Sequence, residues 1–138
     1  MKVGITGTRE GMTLKQLVSL ERMLEEMGPP EQLHHGDCVG VDAEAHETAE
    51  TLGVRDIIIH PPDVLTYRAF CKSGFIRPER PYLKRNREMV KEIDVLIAIP
   101  KRDGETRRSG TWATVTYARK SGVPVKIIFP NGTVEEIE

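Results

Sequence analysis

The chain has 138 residues, an ordinary apolar fraction of 38% and a formal net charge of -1. That length suits one domain with a continuous core, and the near-neutral balance excludes a global field drawing the chain to nucleic acid or an anionic membrane. No apolar run approaches the roughly 20 residues that span a bilayer, the start Met1-Lys2-Val3-Gly4 is too soon broken by glycine for a signal peptide, and Cys38 and Cys71 are too few for a disulfide framework. The expectation is a soluble cytoplasmic protein folded as one domain over residues 1–138, with no membrane partner.

Short β-rich runs alternate with amphipathic helical stretches. Residues 2–6 read as a first strand ended by Gly7. Helical periodicity follows at Leu14, Leu17, Val18, Leu20, Leu24 and Met27, with Thr13 as N-cap and Gly28-Pro29-Pro30 as stop. A second strand is expected near residues 32–35, then the turn Gly36-Asp37-Cys38-Val39-Gly40. The next helix places Val41, Ala45, Ala49 and Leu52 on one face and ends at Gly53. Three consecutive isoleucines within 56–60 predict a strand covered on both sides.

From Pro61 to Pro81 no period is visible, and a loop of that length in a compact domain is usually functional or disordered. A helix over 82–93 would turn Leu83, Asn86, Val90 and Ile93 inward. Residues 95–99 form an apolar strand, 101–109 a polar loop, 110–121 a helix and 123–129 a strand. Asn131-Gly132 is a tight-turn signal, so 133–137 closes a C-terminal hairpin at the sheet edge. The alternation predicts a single Rossmann-like α/β domain in three layers, a mostly parallel sheet with helices on both faces.

In open parallel sheets, ligands bind beyond the carboxyl ends of the strands, where helix N-termini also point. Three junctions fall there: Thr6-Gly7-Thr8-Arg9, then Gly36 to Asp42, then Arg107-Arg108-Ser109-Gly110-Thr111. Glycine admits close backbone approach, free amides and the helix dipole favour an anion, and Thr, Ser and Arg add donors. Each turn alone reads equally as a capped tight turn; the three together mark one edge.

Asp42 and His46 stand at i and i+4, either as a helix-capping pair or as polar groups reaching a ligand. His34, His35, Asp37, Cys38 and His46 lack regular zinc spacing, and a strand sends His34 and His35 to opposite faces, so no metal is assigned. Between positions 68 and 87, Arg68, Lys72, Arg77, Arg80, Lys84, Arg85 and Arg87 face only Glu79. Tyr67, Phe70, Phe75 and Tyr82 interleave with them. Such a segment is either a solvated loop pinned by aromatics, or one that stacks a base and holds phosphates or single-stranded nucleic acid. Asn86 interrupts an apolar stripe near the functional edge, which predicts a specific hydrogen bond. Lys101, Arg102, Arg107 and Arg108 offer a phosphate clamp or a solvated hairpin, and Trp112 a core or interface anchor.

These residues together resemble the SLOG superfamily, which groups the Lonely-guy (LOG) phosphoribohydrolases, the DNA-processing protein A family and small standalone members. Gly4-Ile-Thr-Gly-Thr-Arg9 looks like the small members' opening motif. Gly36-Asp37-x-x-Gly40-x-Asp42-x-x-Ala45-His46 is similar to the DNA-processing family's Gly-Ile-Asp-x-x-Ala-His segment. Arg85-Asn86-x-x-Met89-Val90 with Asp94-x-Leu96-Ile97-Ala98 matches the small members. Ser109-Gly110-Thr111 falls where LOG enzymes carry Gly-Gly-x-Gly-Thr-x-x-Glu. The resemblance implies a Rossmann-like fold, a nucleotide pocket and often a homodimer or higher homo-oligomer. The LOG glutamate position is Thr114 here, which removes the carboxylate that chemistry needs.

The reading that follows is a sensor, carrier or sequestering protein for a nucleotide or nucleotide-derived ligand, with no further cofactor. Its candidate ligand-binding residues are Gly7, Thr8, Arg9, Gly36, Asp37, Gly40, Asp42, His46, Arg85, Asn86, Ser109, Gly110 and Thr111. A nucleotide N-glycosidase or phosphoribohydrolase, with Asp37 or Asp42 replacing the missing glutamate, is the first alternative. A single-stranded DNA-binding protein is the second.

Overall fold

The computed structural model describes residues 1–101 and 110–137. In chain order the elements are β1 (Lys2–Gly7), α1 (Leu14–Glu26), β2 (Gln32–His35), α2 (Val41–Leu52), β3 (Asp56–Ile59), β4 (Phe75–Ile76), α3 (Tyr82–Lys91), β5 (Val95–Ile99), α4 (Gly110–Lys120), β6 (Val125–Ile128) and β7 (Val134–Ile137). A single 3-10 turn, Leu65–Tyr67, sits between β3 and β4. The strands form one seven-stranded sheet in the order β4-β3-β2-β1-β5-β6-β7. Every pairing is parallel except β6 with β7, which is the expected C-terminal hairpin.

The fully apolar strands follow from cover on both faces. In β5, Val95, Ile97 and Ile99 join the core under α1 and α2, with Val3, Ile5, Leu20, Leu24, Leu33, Val41 and Ala45. Its alternate residues, Leu96 and Ala98, join the opposite core under α3 and α4, with Met89, Val90, Ile93, Val115 and Ala118. The period of 2 along one strand thus feeds two separate apolar layers. Trp112 packs against the second of them.

Four local expectations are corrected. The inward face of α1 is Gln16, Leu20, Met23 and Leu24, whereas Leu14 and Val18 are 77% and 45% exposed. Gln16 sets that rotation: its Nε2 donates to the carbonyls of Pro100 and Ile128, at the ends of β5 and β6. Its Oε1 accepts the Thr13 N–H in a capping box, so Thr13 is the N-cap.

On α3 the buried face is Arg85, Asn86, Met89 and Val90, and Leu83 is exposed. The aperiodic stretch from 61 to 81 contains β4, which extends the parallel sheet beyond β3. Its arginines also find more counter-charge than Glu79. Arg68 pairs with Asp37 as well as Glu79, Arg77 with Glu92, and Arg80 with Glu88.

The chain runs outward from β1 through β2 and β3 to β4, then returns to the other side of β1 with β5. The carboxyl ends of β1 and β5 therefore flank a topological switch point, the place where open α/β sheets leave a crevice.

Candidate ligand cleft

A cleft of about 530 Å³ opens at that switch point, within the size range of small-molecule sites. It is lined by residues from the β1–α1 turn (Thr6 to Glu10), the β2–α2 turn (Cys38, Asp42), the stretch after β3 (Pro62, Val64, Tyr67), α3 (Tyr82, Arg85, Asn86), the end of β5 (Lys101) and the start of α4 (Gly110, Thr111). Of the expected residues, Gly7, Thr8, Arg9, Asp42, Arg85, Asn86, Gly110 and Thr111 meet there. Ser109 lies outside the described residues. Pro62 and Val64 are apolar wall residues that no sequence pattern marked.

Gly36 and Gly40 act one step back. A Cβ on Gly36 would sit 2.1 Å from Arg85 Nη1, so its absence leaves room for the guanidinium, and its carbonyl accepts from that same nitrogen. Gly40 precedes α2 at φ +92°, and a Cβ there would meet the Arg9 and Thr8 carbonyl oxygens at 2.4 and 2.6 Å. It locks the second turn against the first, and the Val41 N–H donates to the Thr8 carbonyl at 3.0 Å.

Asp37 and His46 do not line the cleft. Asp37 is fully buried at φ 55°. Its Oδ2 accepts from Arg68 Nε at 3.0 Å and its Oδ1 from the Cys71 N–H at 2.9 Å. It pins the stretch after β3 to the β2–α2 turn. His46 is buried between His35, whose Nε2 lies 2.9 Å from its Nδ1, and Glu50. The Asp37 N–H donates to His35 Nδ1 at 2.9 Å, which places the His35 proton on Nε2, facing His46. Burial, reinforced by the other histidines and Arg85, depresses His35 to about 3, so it stays neutral.

On the other face of the sheet, His34 Nδ1 meets His60 Nε2 at 2.8 Å. The two rings lie head to head, near-parallel at 24°. Burial foremost lowers both to about 4. The opposed faces of His34 and His35 are as the strand pattern requires.

Within the cleft, the electrostatics centre on two buried side chains. Arg85 is 4% exposed; its Nη1 also reaches the His60 carbonyl at 3.4 Å, and its Nε has no partner among the described residues. Asp42 is 7% exposed; its Oδ2 accepts the Cys38 N–H at 3.2 Å, and its Oδ1 has no partner among the described residues. Burial lifts the Asp42 carboxyl from 3.8 to about 6, with Arg85 the chief opposing influence. Asn86 and Tyr82 line the same wall of the cleft, and burial pushes the Tyr82 hydroxyl above its ordinary value.

Arg9 lies exposed at the rim with its guanidinium 3.9 Å above the Tyr67 ring. Lys101 pairs with Glu10 at 3.0 Å across the same rim. At the LOG glutamate position, the Thr114 hydroxyl donates to the Gly110 carbonyl at 2.9 Å and is consumed by its own helix.

Two solved structures share this architecture. The molybdenum cofactor binding protein from the phototrophic bacterium Rippkaea orientalis superposes with a TM-score of 0.69 at 24% identity, over 91% of this chain and 74% of that one. The structural genomics target TM1055 gives 0.64 at 17% identity, over 90% and 71%. The likeness is one of fold. It shows a Rossmann-like α/β architecture. No protein-family model matches the sequence, and no curated protein matches it. Among the described residues, no helix is long and apolar enough to cross a membrane.

Proposed function

We propose that the protein is a SLOG-type binding domain for a nucleotide or nucleotide-derived ligand, held in the cleft at the β1–β5 switch point. The observation that carries this is that two arginines line the cleft without a carboxylate ion pair among the described residues. Arg68, Arg77 and Arg80 each sit against a carboxylate. Arg9 and Arg85, the two that line the cleft, form no ion pair among the described residues. A cation as buried as Arg85 is ordinarily neutralised. The positive dipole end of α4, at Gly110 and Thr111, faces the same cleft.

The resulting cleft suits a phosphate near Arg9 and the start of α4, and a planar group against Tyr67, Val64 and Pro62. Our reading is binding without turnover, because Thr114 offers no carboxylate and Asp37 is locked into a structural pair, which leaves Asp42 as the one candidate carboxylate of the two that lines the cleft. Three of the seven cations between 68 and 87, Arg68, Arg77 and Arg80, are paired within the fold, which weakens the support for single-stranded DNA.

Mass spectrometry of small molecules released from purified protein, with a thermal-shift panel of nucleotides, tests the reading. A bound nucleotide, or saturable stabilisation by one, is expected. Failure of every nucleotide, or release of molybdenum cofactor in its place, would overturn it.

A further inference from the structure

We propose that His34, His60 and Glu92 form a binding site for a divalent transition-metal ion of zinc's class, separate from the ligand cleft. His34 comes from β2, His60 directly follows β3, and Glu92 caps the carboxyl end of α3. Their ligand atoms all lie within 4.8 Å of one another. His34 Nδ1 meets His60 Nε2 at 2.8 Å, and His60 Nε2 lies 3.6 Å from Glu92 Oε2. Both histidines are buried, while Glu92, with its side chain 35% exposed, gives the group access to solvent. None of the three lines the cleft. Positions so far apart in sequence match no metal-ligand spacing, and only the fold brings them together.

The ligand atoms are held in place by their own partners. On the same face of β2, Gln32 Oε1 lies 2.9 Å from His34 Nε2. An amide oxygen only accepts, so Nε2 carries the His34 proton and Nδ1 presents a lone pair. In the chain alone the His60 Nε2–H donates to that lone pair. A metal ion takes the place of this proton, which passes to His60 Nδ1, and both rings stay neutral. Arg77 holds Glu92 through Oε1 at 2.6 Å, with a longer contact of 3.4 Å to Oε2, the oxygen toward His60. Hydrogen bonds of this kind orient ligating histidines and carboxylates in metal sites. Zn–N bonds of about 2.0–2.1 Å set tetrahedral nitrogens about 3.3 Å apart, so the two rings need to part by about half an ångström. Two imidazoles and a carboxylate form a ligand set that zinc accepts with a fourth position left for water, whereas Mg²⁺ and Ca²⁺ take oxygen ligands.

The second histidine pair differs. His35, His46 and Cys71 lie equally close together. However, His35 Nδ1 accepts the Asp37 N–H, which keeps the proton on Nε2, the atom facing His46. That nitrogen has no lone pair to give.

The test is calorimetric titration of the untagged, chelator-stripped protein with zinc chloride, and with magnesium chloride as control, on wild type, Glu92→Gln and Cys71→Ser. Wild type should take up one Zn²⁺ per chain in a saturable isotherm and no Mg²⁺. Glu92→Gln, which keeps an oxygen for Arg77, should weaken Zn²⁺ at least about tenfold, since even the outer partners of a metal ligand are worth that much. Cys71→Ser should stay within about twofold. Proton–nitrogen correlation spectra of the imidazoles should show His34 Nδ1 and His60 Nε2 shifting on Zn²⁺ addition, with His35 and His46 unmoved. Absence of saturable Zn²⁺ uptake overturns the proposal. So does uptake indifferent to Glu92→Gln, which would mark adventitious surface binding. Uptake lost in Cys71→Ser would place the ion at His35 and His46 and overturns it too. The wild-type spectra alone decide the matter if a variant fails to fold.

Discussion

Replacing Asp42 by Asn should stabilise the protein at neutral pH and not at acid pH. A carboxyl raised by burial from 3.8 to about 6 holds its proton in the folded chain over a range where the unfolded chain has lost it. Below the unfolded value both states are protonated, and burial costs nothing electrostatic. As pH climbs through the folded value the penalty develops in full, so stability is lost with rising pH. A rise of that size corresponds to about 3 kcal/mol as an upper bound.

Asparagine carries no charge to desolvate and can still accept from the Cys38 amide that Asp42 now engages. Urea unfolding of both proteins at pH 4 and pH 7.5 should show the difference shifting toward the variant by about 1–3 kcal/mol. A difference that is the same at both pH values would refute the reasoning. Under the proposed function such a group persists because a site residue can be held at a cost to stability.

Gly40→Ala forces a Cβ against two backbone carbonyls at positive φ and should cost about 2–4 kcal/mol in the urea midpoint analysis; less than about 1 would show that the β1 and β2 turns yield easily. Gln16→Ala strands the Pro100 and Ile128 carbonyls, for an expected loss of about 2–3 kcal/mol. Asp37→Asn breaks a buried pair with Arg68 and should lower stability by about 3 kcal/mol, while nucleotide affinity, by calorimetry below the unfolding transition, stays within about twofold. A larger loss of affinity would return Asp37 to the ligand site.

Much of the fold is written in local patterns. The Ile57-Ile58-Ile59 run and the Val95–Ile99 run declare strands covered on both faces, and the Asn131-Gly132 turn declares the antiparallel hairpin. Because parallel strands all deliver their following turns to one edge, the convergence of Thr8, Asp42 and Thr111 follows from the alternation alone. What stayed hidden depends on distant partners. Gln16 looks like a solvated helix position until the two strand ends it bridges are in place. β4 is two residues long and has no period of its own. The counter-charges of Arg77 and Arg80 come from Glu92 and Glu88, beyond the stretch in which they were sought. Asp37 and Asp42 carry the same side chain within one turn, and only packing assigns one to Arg68 and the other to the cleft. Arg85 is buried against expectation for a charged residue; the resemblance, not the periodicity, marked it.

Amide chemical-shift mapping during titration with adenosine 5′-monophosphate tests most directly whether a nucleotide binds at the switch point. Saturable shifts at Thr8, Arg9, Cys38 and Thr111, with β7 and the outer face of α1 unmoved, are the predicted result. Shifts confined to the basic stretch around Arg77 and Lys84, or none at all, would contradict it.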